Sequence, residues 1–391
     1  MAARTTPALY AVCTNHGFGH ASRSLAVLRE THRLAPELRI ILNTTVPEDF
    51  ARSMLGDTPV EFRARPLDVG IHQKDFLTMD LETTLSAADA LYLQDAGDLL
   101  AADEARFLKQ EHVGLVLADI PPLAADVAEK AGVACWMLGN FSWDFIYRAY
   151  APQDAAFAHI ADRIVASYSK AERLFRPPFS EGASMDAVFS RITNVGLTGG
   201  RPRFDRSEVL QRLGLSAELD SLNISETQLV LLSFGGLGLA GIPYAGLAEF
   251  DGRRRPRRIF LTFDRGAPPE IPNLRVIADP ELRQVDLLPF VERIISKPGH
   301  GTFCEVARTG TPFVCLERAD FPETPELLRQ LRNYFTHRVL SLDQFFRGDW
   351  NFITDELSPP ENVLRSGRGD LNDSDGNLSI AREIAGHFAR V

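Results

Sequence analysis

Short apolar runs rich in Val, Ile, Leu and Phe alternate along the chain with longer stretches in which apolar residues return every three or four positions. The runs have the length of buried strands, and the longer stretches that of amphipathic helices. Repeated in that order they form βα units laid on a parallel sheet. In the amino-terminal half, LYAVCT (9–14) precedes a helical HASRSLAVLRETHRL (20–34), and LRIILNTT (38–45) supplies a second strand. VGLVLADI (113–120), a helix from Pro122 to Ala131 and VACWMLG (133–139) repeat the unit. RIVASYS (163–169) is expected to open the last unit of this half.

From 190 to 228 the pattern lapses into polar, irregular sequence with Gly199, Gly200 and Pro202 close together, the composition of a domain boundary. A second series follows: QLVLLSFGG (228–236), RRIFLTF (257–263), LRVIAD (274–279), ERIISK (292–297) and PFVCLE (312–317). The polar stretch 356–376 reads as a loop before a final helix, 377–390. The expected organisation is therefore a doubly wound domain over 1–200, a second over 201–375, and a terminal helix, 376–391, able to pack back on the first.

Composition narrows the function classes. The 391 residues suit two domains of roughly 150–200 each, and 45% hydrophobic with 24% charged residues excludes wholesale disorder. A net charge of −10 argues against nucleic acid as a partner, because such binding depends on neutralising phosphates. Cys13, Cys135, Cys304 and Cys315 lie far apart in no C-x-x-C pair, which reads as reduced thiols in a cytoplasmic protein. The amino terminus reads as a first strand rather than an export signal, and no apolar run reaches the roughly 20 residues of a spanning helix. Contact with a membrane surface remains open but unsupported. The arginines at 253, 254, 255, 257 and 258 read as a solvated face. No His, Cys or carboxylate spacing marks a metal site.

Open α/β sheets bind ligands beyond the carboxyl ends of their strands, and three Gly-rich turns fall there. The first, TNHGFGHASR (14–23), presents His16 and His20 around Gly17, Phe18 and Gly19. It lacks the third glycine of a dinucleotide fingerprint. The second, SFGGLG (233–238), offers the amides of Gly235 and Gly236 to a phosphate. The third, ISKPGHGTFCEVARTGTP (295–312), ends a strand at Lys297, turns at Pro298 and Gly299, and opens a helix through His300, Gly301 and Thr302. Unpaired N–H groups and the positive dipole end of that helix suit a diphosphate, and Glu305, one turn in, is placed for ribose hydroxyls. The aromatics of GNFSWDFIYRAY (139–150), with Trp143 and Asp144, fit either an acceptor wall or the core face of an amphipathic helix.

Two α/β domains with these turns resemble the GT-B glycosyltransferases: two doubly wound, Rossmann-like domains facing across a cleft. NHGFGHASR (15–23), LADIPPLAADVAEKAGV (117–133), NFSWDFIY (140–147), SKPGHGTFCEVARTGTPFVCLERADF (296–321) and FFRGDW (345–350), in that order, resemble the glycosyltransferase-like amino-terminal half of plant L-arabinokinases and their bacterial stand-alone relatives. The resemblance implies His20 as general base and Asp119 as the carboxylate that orients it and raises its basicity. It places Gly235, Gly236, Lys297, Gly299, His300, Gly301 and Thr302 around a donor diphosphate, with Glu305 at the ribose. The Asp-Gln pair by which many plant natural-product transferases hold the sugar is missing. Asp320, Glu323 and Glu326 occupy that region as replacements, while His16, Phe18, Trp143 and Asp144 are left for the acceptor side. No Gly/Ser-rich kinase phosphate loop follows residue 351, so kinase activity is not expected. The implied enzyme is an inverting, metal-independent glycosyltransferase using a UDP-sugar, with no cofactor beyond that donor and an unidentified hydroxyl acceptor. A nucleotide-sugar 2-epimerase or hydrolase, or a silent nucleotide-sugar-binding module, stands as the alternative.

Overall fold

The structure, a computed structural model of the chain, describes residues 7–74, 78–216, 227–235, 238–252, 256–318, 321–361 and 375–390. Two compact units divide the chain. One comprises Met1–Gly199 with Asp320–Glu326 and Arg368–Val391, the other Gly200–Ala319 with Leu327–Gly367.

The first unit holds a seven-stranded sheet: β1 (Ala8–Cys13), β2 (Arg39–Thr44), β3 (Glu61–Arg63), β4 (Val113–Asp119), β5 (Ala134–Leu138), β6 (Arg173–Arg176) and β7 (Ile192–Asn194). The spatial order is β3-β2-β1-β4-β5-β6-β7, parallel throughout. β1 shows why the unit needs helices on both faces. Leu9, Ala11 and Cys13 enter one apolar cluster, Ala8, Tyr10 and Val12 the other, and all six are buried. The terminal helix Gly376–Phe388 belongs to this unit. Ile380 and Ile384 share a cluster with Leu25 and Leu28 of the helix Phe18–Leu34. Asn377 anchors it, accepting from the Gly199 N–H at 3.0 Å and donating to its carbonyl at 2.9 Å.

One element departs from the sequence reading. RIVASYS does not open a βα unit; it closes the helix Ala156–Tyr168, and the strand is the following RLFR of β6. Phe157, Ile160, Ala161, Ile164 and Tyr168 are all buried, a helical spacing that outweighs the β-favouring composition of the last seven residues.

The second unit holds β8 (Thr227–Leu232), β9 (Arg257–Thr262), β10 (Leu274–Val276), β11 (Arg293–Ser296), β12 (Phe313–Leu316) and β13 (His337–Leu340). Their order is β10-β9-β8-β11-β12-β13, again parallel. FFRGDW anchors itself in the core through Phe345 and Trp350, while Phe346, Arg347 and Asp349 are exposed. Trp350 is fully buried, its ring 5.3 Å from Phe345 and 5.9 Å from Phe260, and its indole N–H donates to Pro243 O at 2.8 Å. The arginine-rich stretch is not a simple solvated face. Arg258 is buried and pairs with Glu292 at 2.9 Å, Arg257 pairs with Asp251 at 2.9 Å, and Arg253, Arg254 and Arg255 lie outside the described residues.

Candidate active site

In each sheet the strand order reverses beside the unit's first strand, between β1 and β4 and between β8 and β11. Such a switch point leaves a crevice at the carboxyl ends of two neighbouring strands. Both histidine- and lysine-bearing turns emerge at these two places.

At the first, the register pairs Cys13 with Asp119, so the end of β4 lies beside the turn that leaves β1. Gly17, at φ 89°, takes the left-handed backbone that turn needs before the helix Phe18–Leu34 begins. His20 then sits in the first turn of that helix, with Arg23 one turn on and Ser24 beside it. All three reach Asp119. His20 Nδ1 lies 2.8 Å from Oδ1, Arg23 Nε donates to Oδ2 at 2.7 Å and Nη2 to Oδ1 at 2.5 Å, and Ser24 Oγ donates to Oδ2 at 2.8 Å. Arg23 Nη1 continues to Asn140 Oδ1 at 2.6 Å, and Asn140 Nδ2 donates to Glu323 Oε1.

Burial alone would raise the Asp119 carboxyl, but Arg23 and His20 together hold it well below the usual carboxylate range. His20 moves against the expectation that its aspartate would make it more basic. Burial, with Arg23 acting alongside, outweighs Asp119 and lowers the imidazole below its ordinary value. The ring is therefore neutral at neutral pH. Ionised Asp119 has no proton to give, so its 2.8 Å contact with Nδ1 is a hydrogen bond only when Nδ1 carries the proton. Nδ1 thus carries the imidazole proton, which leaves Nε2 as the acceptor.

The other residues expected on the acceptor side divide. His16 is half-buried, stacked on Phe321 at 5.8 Å and met edge-on by Trp143 at 5.0 Å, with Nδ1 accepting from the Ile71 N–H at 3.3 Å. Phe18 is exposed and stacks on Phe50 at 4.3 Å. Trp143 and Asp144 are buried, so neither offers a face to a ligand. Trp143 is core that props His16 and donates its indole N–H to Asp68 at 3.2 Å. Phe141, Tyr147 and Tyr150 are buried with it, which settles the segment as the core face of a helix. Asp68, which the sequence reading passed over, is pushed up to about 6 by burial. Of the sugar-side candidates, Glu323 is buried against Asn140, Glu326 is half-buried, and Asp320 lies outside the described residues.

The second switch point repeats the geometry with different chemistry. Leu232 pairs with Ile295 across β8 and β11, and the Ser233 N–H continues to Ile295 O at 3.0 Å. Gly235 follows at φ 79°, and Lys297 follows β11. Gly299, extended, caps the helix His300–Thr309, whose first turn holds His300, Gly301 and Thr302. Burial first and Arg318 second lower Lys297 to about 8, so it is mostly charged at neutral pH. Burial raises Glu305 to about 7, while Gln284 Nε2 donates to Oε2 at 2.7 Å and to Thr302 Oγ1 at 3.3 Å. Gly236 lies outside the described residues. The Lys297 ammonium just before a helix N-terminus forms a place for an anion. Among the described residues no three His, Cys, Asp or Glu side chains gather into a metal-ligating group.

Arg23, Ser24 and Asn140 are members of the first site that sequence reasoning missed. Their signals were present: Arg23 stands three residues from His20 on the same helix face, and Asn140 stands just beyond β5, at the same sheet edge as Asp119.

Two doubly wound parallel units, each with its site at the strand reversal, give the GT-B fold of glycosyltransferases. The glycotransferase of kitacinnamycin aligns with a TM-score of 0.64 at 18% identity over 98% of this chain and 99% of that one. The calicheamicin glycosyltransferase CalG4 gives 0.62 at 15% over 98% and 99%, and Medicago truncatula UGT71G1, complexed with UDP-glucose, gives 0.60 at 13% over 98% and 98%. At these identities the likeness establishes the fold. In sequence the chain is similar to L-arabinokinase of Arabidopsis thaliana, at 27% identity over 385 residues. That alignment covers 95% of this chain and 34% of the plant protein, so the chain spans about a third of its relative's length. No protein-family model matches the chain. No helix among the described residues is long and apolar enough to cross a membrane.

Proposed function

We propose that the protein is a glycosyltransferase that moves a sugar from a UDP-sugar to a hydroxyl acceptor, with inversion and without a metal ion. The observation that carries this reading is the buried His20–Asp119 pair, which leaves a neutral imidazole with a free Nε2. In the proposed step Nε2 takes the acceptor's hydroxyl proton as that oxygen attacks the anomeric carbon. The bond from that carbon to the diphosphate breaks, and UDP leaves with the electron pair.

Inversion is favoured because Asp119 is no free nucleophile. Its oxygens already accept from His20, Arg23 and Ser24, so it cannot swing out to form a glycosyl intermediate. A single displacement by the acceptor inverts the anomeric centre. In place of a metal, the leaving diphosphate would meet the Lys297 ammonium, its neighbour Arg318 and the amides that open the helix His300–Thr309. Glu305 would take the ribose. UDP-glucose and calicheamicin in the names of the fold relatives support this donor and reaction class.

The test is transfer from radiolabelled UDP-sugars to an acceptor library, with and without EDTA. His20→Ala should lower turnover by about 10²–10⁴-fold, the usual scale for a general base, and leave UDP binding intact. EDTA should leave turnover unchanged. A sugar altered in the donor alone would establish an epimerase or hydrolase instead, and tight UDP binding with no product from any acceptor a binding module.

A further inference from the structure

Arg23 is as buried as the pair it serves, at 3% exposure, and it spends its guanidinium on named acceptors. Nε and Nη2 grip both oxygens of Asp119, and Nη1 grips Asn140. Its Nη2 also stands 2.8 Å from His20 Nδ1. We propose that Arg23 is the positioning residue of the base: it clamps Asp119, the carboxylate that sets the His20 tautomer, opposes a positive charge on the ring, and through Asn140 ties that pair to Glu323. The proposal deepens the reading of His20 as base and rests on it for its catalytic meaning.

The charge count explains why an arginine belongs there. Asp119 alone beside a buried histidine would draw a proton onto the ring and block the base. With Arg23 opposite, the carboxylate is already neutralised, and an imidazolium would leave the buried cluster with a net positive charge. Among the described residues the charged groups acting on the imidazole are Asp119 from β4 and Arg23 from its own helix. One contact further out, Asp68 acts electrostatically with Asp119, and Glu323 holds Asn140. The other neighbour, Phe141, presents its ring perpendicular at 5.5 Å and carries no charge. A lysine cannot copy this grip, because it lacks the planar fork that spans two carboxylate oxygens and an amide together.

The experiment follows the His20 ring directly, by 15N NMR titration of the full chain with labelled histidine, in wild type, Arg23→Met and Arg23→Lys. Arg23→Met should move the His20 titration to higher pH and carry the acid limb of the transfer rate with it. Turnover at the acid end then falls about tenfold for each pH unit of displacement, with a smaller loss on the alkaline plateau. Arg23→Lys should return the titration part of the way. A midpoint that stays at the wild-type value in Arg23→Met overturns the proposal, even if the variant is less stable. Should Arg23→Met fail to fold, Arg23→Lys and Asn140→Ala take the same measurement, and an unmoved midpoint in both overturns it equally. If His20→Ala leaves transfer intact while the titration moves, the base assignment falls and the arginine's hold on the ring stands.

Discussion

The aliphatic end of Lys297 runs alongside Gly235, so that a methyl group on the glycine would stand 3.5 Å from Cε and 3.9 Å from Nζ. The contact would be tolerable, but the backbone would not, because Gly235 sits at φ 79°. Gly235→Ala is expected to cost about 1–2 kcal/mol, the penalty for an ordinary residue in left-handed backbone. Relief of that strain should also shift the amides that the turn offers to a phosphate. Thermal unfolding with and without UDP checks both effects: a lower midpoint, and a smaller rise on adding UDP.

Removing the carboxylate of Asp119 should be far more damaging than removing the imidazole it holds. Asp119→Ala leaves the Arg23 guanidinium buried with its charge uncompensated, which costs about 3–5 kcal/mol in comparable sites. His20→Ala leaves the Arg23–Asp119 pair in place. Urea unfolding of the two variants should separate them clearly. Equal midpoints would mean that the ion pair contributes nothing to the unit.

Lys297 gives the carboxy-terminal site a pH signature. Its folded value, about 8, is below the ordinary 10.5, so the folded chain binds fewer protons than the unfolded chain between those values. Stability contributed by this group is present above 10.5 and lost as pH falls through 8. An anion bound beside it favours the charged form. UDP affinity should therefore be constant below about 8 and weaken as pH rises above it, with proton uptake on binding. Calorimetry in two buffers of different ionisation enthalpy reads the uptake, and Lys297→Met should abolish it.

Glu305 titrates in the opposite sense. Its folded value, about 7, exceeds the ordinary 4.5, so its contribution to stability is present below 4.5 and lost as pH rises through 7. Glu305→Gln keeps the shape and the Gln284 neighbour without the charge. The variant should gain in urea midpoint relative to wild type at pH 8 and not at pH 4.

The two sites were legible in the sequence because both lie on turns that punctuate strong strand runs. His20 and Lys297 could be picked out by glycine spacing, and β1, β4, β8 and β11 by their apolar runs. What failed were judgements between helix and strand, or between wall and core, that depend on neighbours. RIVASYS has a strand's composition, and only its register with Phe157 and Ile160 makes it a helix. β6 (RLFR) and β13 (HRVL) carry arginine or histidine at half their positions and so do not stand out as apolar runs. Trp143 stayed open between acceptor wall and core because nothing in its own segment shows that Asp68 and His16 close over it. Arg23 was visible in the motif, but its weight appears only when β4 and the residue after β5 bring Asp119 and Asn140 to it. The return of 320–326 to the amino-terminal unit is likewise a tertiary fact with no local signature.

That unit is also stitched from stretches on either side of the second unit, since Gly376–Phe388 lays Ile380 and Ile384 onto the helix that bears His20. During synthesis the ribosome must therefore finish the intervening unit before the first one can close. Until that helix emerges, the part of the Phe18–Leu34 helix that meets Ile380 and Ile384 is bare to solvent and to chaperones. The helix that bears the histidine thus completes its packing only after the whole of the second unit has been made.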